Sequence, residues 1–94
     1  SEEAAQMTKK YMRNNVQQVY GDWNFPGLDV CAKSGTSQLG GEQDPNAMFA
    51  GFVDSDKYPL AFIVVVENGG YGSHTCVPIL SKVLAACVTE MDAE

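Results

Sequence analysis

The sequence predicts an α+β fold in which a three-stranded antiparallel sheet is flanked by an N-terminal and a C-terminal helix. Both ends of the chain carry apolar residues at three- and four-residue steps, which is typical of amphipathic helices. Between them lie three strand-length runs bounded by Gly, Pro, Asn and Asp. The short connections favour antiparallel pairing, and two helices can cover one face of such a sheet. We therefore expect the 94 residues to form a single unit.

The first helix is predicted over residues 1–20. Glu2 and Glu3 suit the positive end of its dipole, and Gly21 is suited to end it. We interpret its apolar stripe as a face that packs on the core. The stripe consists of Ala4, Met7, Tyr11, Met12, Val16 and Val19.

Three strands are predicted, at about 28–37, 47–54 and 60–67. The loop before the first strand contains Trp23 and Phe25, which we expect to pack against the core. The third strand is continuously apolar and rich in β-branched residues, so we expect it to be buried on both faces.

Two segments read as connections. Residues 38–46 combine turn-forming residues with little apolar content, so we expect an exposed loop. Residues 68–73 are a Gly-rich turn that lacks the spacing of a phosphate-binding loop.

The second helix is predicted at about 75–93, with Pro78 near its start. We interpret His74, just before it, as a loop histidine and not as a metal ligand. The expected core-facing residues are Val77, Leu80, Val83, Leu84, Cys87 and Val88.

Composition excludes several classes of function. The net charge of −6 and the lack of a basic run argue against nucleic acid or an anionic membrane as a partner. No apolar stretch has the length of a membrane span, and no anchor or signal is visible in this chain. Cys31, Cys76 and Cys87 form neither a disulfide framework nor a metal pair, so we expect buried free thiols. We expect no metal and no cofactor.

The candidate functional motif is Lys33-Ser34-Gly35-Thr36, at the end of the first predicted strand. An ammonium and two hydroxyls can hold a carboxylate, and a glycine lets a substrate backbone approach the strand edge. The N–H of Thr36 would then point out of that edge, where it could stabilise an oxyanion. The alternative interpretation is a polar strand end that turns into a Gly-rich loop, and only the surrounding sequence can decide between them.

The surrounding sequence resembles a known family. Besides A-K-S-G-T-S-Q (32–38), the matching runs are F-P-G-L (25–28), P-N-A-M-F-A-G-F (45–52), I-V-V-V-E-N-G-G (63–70) and P-I (78–79). They resemble, in order and with compatible spacing, the C-terminal part of the transpeptidase domain of class B penicillin-binding proteins, which belong to the serine D,D-transpeptidase and β-lactamase-like superfamily. This resemblance covers nearly the whole chain.

The resemblance implies a role for each residue of the motif. Lys33 and Thr36 would be catalytic, with the Thr36 N–H as half of the oxyanion hole. Ser34, Gly35, Thr36 and Ser37 would bind substrate. The ligands would be the D-Ala-D-Ala carboxylate of a peptidoglycan stem peptide or that of a β-lactam. The parent would be anchored in the bacterial membrane, with this domain on the outer face.

The chain also departs from the family pattern. None of its serines is followed by Lys at the third position or by Asn at the second, so S-x-x-K and S-x-N are both missing. The nucleophile of that family is the S-x-x-K serine, so we predict that this chain alone is inactive and needs the rest of the transpeptidase domain as partner. Alternatives are a fragment of a β-lactamase or β-lactam-sensing receptor, or a non-catalytic binding module.

The same resemblance has a consequence for assembly. In the family's sheet, the 60–67 strand (from Leu60 to Glu67) is flanked by strands that this chain lacks. An unpaired apolar edge is a template for association, so we expect a homo-oligomer through it.

Overall fold

The computed structural model describes residues 1–37, 46–67 and 72–94. The strands pair antiparallel in the order β1-β2-β3, which confirms the predicted α+β class. Most of the two predicted connections lies outside the described residues. The elements are α1 (Glu2–Asn15), a π-helical turn (Val16–Tyr20), a 3₁₀ turn (Asp22–Asn24), β1 (Val30–Ser37), β2 (Asn46–Val53), β3 (Ala61–Val66) and α2 (Gly72–Asp92).

Helix α1 has clear signals at both ends of its helical segment. At the start, the Ser1 hydroxyl accepts a hydrogen bond from the Ala4 N–H at 3.1 Å. After Asn15 the chain widens into the π-helical turn, which closes when the Gly21 N–H donates to the Val16 carbonyl at 2.8 Å. Gly21 has a φ of +95°, which L side chains rarely adopt, so a glycine ends the helix as predicted.

The core lies between α2 and one face of the sheet, which we call the inner face. Phe49, at the centre of β2, is fully buried. Its ring makes an edge-to-face contact with the Tyr20 ring, with centroids 4.9 Å apart, and stacks with the Phe62 ring, with centroids 6.1 Å apart. From α2 the buried residues are Cys76, Val77, Leu80 and Leu84. The predicted α2 stripe is thus confirmed at its centre, although Val83 on its flank is exposed.

Strand β3 is covered on one face only, so the expectation of burial on both faces is wrong. Phe62, Val64 and Val66 pack against the core. Ile63 and Val65 alternate with them and are 66% and 51% exposed. Helix α2 lies on the inner face, and no described element covers these two side chains on the opposite, outer face.

The interpretation of the α1 stripe is also wrong. Helix α1 has no buried residue, and Met7 and Tyr11 are 61% and 68% exposed. Only Val16 of the predicted stripe, in the π-helical turn, reaches the core. In the following loop Phe25 is buried as expected, whereas Trp23 is 81% exposed.

Polar side chains attach α1 to the sheet instead. Arg13 donates to both carboxylate oxygens of Asp22, at 3.0 and 2.6 Å, and to the Val30 carbonyl at 2.8 Å. Lys9 forms an ion pair with Asp54 at 3.0 Å. Within the described ranges, no helix is long and apolar enough to cross a membrane.

Candidate functional site

Lys33 lies on the outer face of the sheet. It pairs in register with Ala50 of β2 and is solvent-exposed. It forms no ion pair with any residue that the structure describes. An unpaired ammonium at this position is available to an incoming anion.

Gly35 leaves an open space on the same face. A Cβ added at Gly35 would have one described neighbour within 4 Å, the Cβ of Met48 at 3.9 Å. No described helix therefore covers Gly35, and a ligand backbone can approach the strand there.

Ser34 points to the inner face, because neighbouring strand residues alternate. Its hydroxyl lies 2.9 Å from the Tyr20 hydroxyl, and its N–H donates to the same Tyr20 oxygen at 2.9 Å. Lys33 and Ser34 therefore lie on opposite faces of the sheet. We call the side of β1 that does not pair with β2 its outer edge. Only a ligand that lies in the plane of the sheet, along this outer edge, can contact both residues.

The direction of the Thr36 N–H follows from the hydrogen bonds of its neighbours. The Val30 and Ala32 carbonyls and the Ser34 N–H all bond to side chains outside the sheet. Because alternate residues of a strand present their backbone groups to the same edge, the Thr36 N–H faces that edge too. The side chains of Thr36 and Ser37 lie outside the described part of the structure. Their backbones pair with Ala47 and Asn46.

Sequence reasoning missed Tyr20 as a member of this site. It is fourteen residues from Ser34 in the chain, and no local pattern links the two. The only signal was an aromatic residue with a hydroxyl at the end of the first helix.

Two further residues, Cys31 and His74, are of types that can act as a nucleophile and as a metal ligand. Cys31 is fully buried, and burial raises the pKa of its thiol, so the reactive thiolate is disfavoured. His74 is exposed and lies in the first turn of α2 rather than in a loop before it, because the helix begins at Gly72. Among the described residues no cluster of His, Cys, Asp or Glu could hold a metal ion.

Two concavities in the described part of the surface do not include the motif. A concavity of about 600 Å³ lies between α1 and Asp54. Its lining includes Lys9, Arg13 and Gln17 but no residue of the K-S-G-T motif. Another concavity, between α2 and the loop before β1, is also lined without any residue of the motif. The motif itself can therefore supply one wall of a binding site.

Comparison with known protein families shows to which family the chain belongs. The family described as the penicillin binding protein transpeptidase domain matches residues 1–85. The chain belongs to the penicillin-binding protein transpeptidase family. The match covers α1, the whole sheet and most of α2, so the resemblance to the transpeptidase domain of penicillin-binding proteins is confirmed. No curated protein and no solved structure gives a significant match.

Proposed function

We propose that this transpeptidase chain provides the anion-binding wall of a serine D,D-transpeptidase that cross-links peptidoglycan. The observation that carries the proposal is the outer edge of β1. There Lys33 is exposed and has no ion-pair partner among the described residues, Gly35 is not covered by any described helix, and the Thr36 N–H points out of the strand. The family match supports the same assignment.

Each group would have a distinct task. Lys33 and the hydroxyls of Ser34 and Thr36 would bind the carboxylate of a D-Ala-D-Ala stem peptide or of a β-lactam. The Thr36 N–H would stabilise the oxyanion that forms when the carbonyl is attacked. Gly35 would let the acyl chain lie against the strand, with Ser37 extending the binding surface.

The nucleophile would come from outside this sequence, because neither S-x-x-K nor S-x-N occurs in it. We propose that the 94 residues alone form no acyl-enzyme and hydrolyse no β-lactam. Incubation with a fluorescent penicillin, followed by denaturing electrophoresis, tests this directly. A covalent label on the 94-residue chain would contradict the proposal.

Lys33→Ala tests the role of the motif, in a polypeptide that also carries the S-x-x-K and S-x-N segments of the domain. Loss of a charge-assisted hydrogen bond of about 1.5–3 kcal/mol should lower the rate constant of penicillin acylation roughly 10- to 100-fold. Lys82→Ala, an exposed lysine of α2, is the matched control and should leave the rate unchanged. Unchanged acylation in Lys33→Ala would favour a non-catalytic binding module. Rapid release of hydrolysed penicillin by the unaltered protein would favour a β-lactamase.

We also propose that β3, with its exposed side chains Ile63 and Val65 and its unpaired edge, forms the contact with the rest of the transpeptidase domain. Ile63 and Val65 are exposed on the outer face, and β3 has no strand partner at its outer edge among the described residues. Without that partner, the same edge would bring copies of this chain together. Light scattering of the 94-residue chain should then show a dimer or larger species, and a monomer at high concentration would contradict this. The parent protein would be held at the outer face of the bacterial membrane.

A further inference from the structure

Side chains from residues 13–20 form hydrogen bonds to the outer edge of β1. They bond the backbone groups of every second strand residue, those that point away from β2. The Val30 carbonyl accepts from Arg13 at 2.8 Å, and the Ala32 carbonyl accepts from Asn15 at 3.3 Å. The third contact in the series is made by Tyr20, whose hydroxyl accepts from the Ser34 N–H. Tyr20 therefore lies where the bonded part of the edge ends and the K-S-G-T motif begins.

The position of the Tyr20 hydroxyl is fixed from several sides. The residue closes the π-helical turn, and its carbonyl accepts from the Asn24 side chain at 2.9 Å. Its ring makes an edge-to-face contact with the buried Phe49 ring, with centroids 4.9 Å apart. A hydroxyl held this way loses little further freedom when a ligand binds, which favours a positioning role.

The hydroxyls of Tyr20 and Ser34 carry one proton each, and only one of the two protons can lie between the two oxygens. One proton lies in the bond between the two oxygens, which are 2.9 Å apart. The Tyr20 oxygen already accepts from the Ser34 N–H. When Tyr20 donates to Ser34, the Tyr20 hydroxyl both accepts a hydrogen bond (from the Ser34 N–H) and donates one (to the Ser34 oxygen). The proton of the Ser34 hydroxyl is then left for an incoming acceptor. A carboxylate is an acceptor only, so it suits that remaining proton.

We propose that Tyr20 is a positioning residue that orients the Ser34 hydroxyl for the carboxylate of the ligand. This inference rests on the proposed function of the K-S-G-T strand and adds a residue from outside the motif to it. Tyr20 acts through Ser34. Its effect should therefore depend on the carboxylate of the ligand, whereas a purely structural role would affect all ligands equally.

The test compares benzylpenicillin with its methyl ester, which lacks the carboxylate charge. Acylation is measured by mass spectrometry in the polypeptide that carries S-x-x-K and S-x-N. Tyr20→Phe should lower the rate constant about tenfold with the acid, as for a lost charge-assisted hydrogen bond, and less than about twofold with the ester. Combining Tyr20→Phe with Ser34→Ala should cost no more than Ser34→Ala alone. Tyr11→Phe, an exposed tyrosine of α1, is the matched control.

The outcomes separate this inference from the proposed function. Equal losses with acid and ester, or no loss with the acid, would overturn the role of Tyr20. If Lys33→Ala also leaves acylation by the acid unchanged, the proposed function itself fails. If Lys33→Ala lowers it and Tyr20→Phe does not, only the Tyr20 inference fails. Should Tyr20→Phe prevent folding, Ser34→Ala tests the proposal in its place. Equal losses of acylation with the acid and the ester would mean that the Ser34 hydroxyl does not bind the carboxylate, which would overturn the proposal.

Discussion

The two helices carry similar apolar stripes, yet they are attached to the sheet in different ways. Helix α2 buries Cys76, Val77, Leu80 and Leu84 against the inner face. Helix α1 buries no residue and is held by charged and polar side chains at the edge of β1. The comparison shows that an amphipathic pattern identifies a helix with an apolar face, but it does not identify the surface that covers this face.

The largest expected difference between the helices is in the cost of losing an apolar side chain. Leu80→Ala leaves a cavity under α2 and should lower the free energy of unfolding by about 2–5 kcal/mol. Met7→Ala on α1 should change it by less than about 0.5 kcal/mol, because Met7 is exposed. Urea unfolding of the 94-residue chain measures both values. Similar losses in the two variants would mean that α1 also packs through its apolar stripe.

A smaller effect should follow from removing the polar attachment of α1. Arg13→Met loses the bonds to Asp22 and to the Val30 carbonyl. We expect a loss of about 1–2 kcal/mol, below the full value for charged hydrogen bonds because Asp22 is partly exposed. Lys10→Met removes an exposed charge from the same helix and is the control. If Arg13→Met unfolds no more readily than Lys10→Met, the edge contacts do not hold α1.

The two buried thiols report on the two helices separately. Cys31 lies on β1 between Val30 and Ala32, whose carbonyls accept hydrogen bonds from Arg13 and Asn15 of α1. Cys76 lies within α2, and its thiol faces the Val64 carbonyl at 3.8 Å. Since α1 has few buried contacts, it should open locally more often than α2. Labelling with a thiol reagent should modify Cys31 roughly tenfold faster than Cys76, a difference of about 1.4 kcal/mol in opening free energy. Equal rates, measured by mass spectrometry of Cys87→Ser protein, would contradict the weaker attachment of α1.

The smallest effect concerns pH. Burial raises the pKa of both thiols in the folded state, so the unfolded chain loses these protons first as pH rises. The contribution to stability is complete below the ordinary thiol pKa and declines as pH rises from there towards the folded-state pKa. Urea unfolding at successive pH values above neutrality should show this decline. A variant with Cys31→Ala and Cys76→Ala should lack that component, and an unchanged pH profile in the variant would contradict it.

Much of the site could be predicted because it is local. The K-S-G-T motif lies on one strand, so its four residues stay together in the fold. Strand alternation places the Thr36 N–H on the same edge as the Ser34 N–H, but which edge that is follows from the hydrogen bonds of Val30, Ala32 and Ser34. The partner of Ser34 could not be predicted in this way. Tyr20 reaches Ser34 only because a π-helical turn and the packing on Phe49 bring together residues that are distant in the chain.

The sequence by itself determined the element types, their order and the antiparallel pairing, since periodicity and turn residues act over a few neighbours. It also identified the family through runs of residues in a fixed order. Only the tertiary structure decided which apolar faces are covered, leaving Met7 and Ile63 exposed while Phe49 is enclosed. Burial depends on what packs opposite a residue, and that surface belongs to another part of the chain or to another part of the domain.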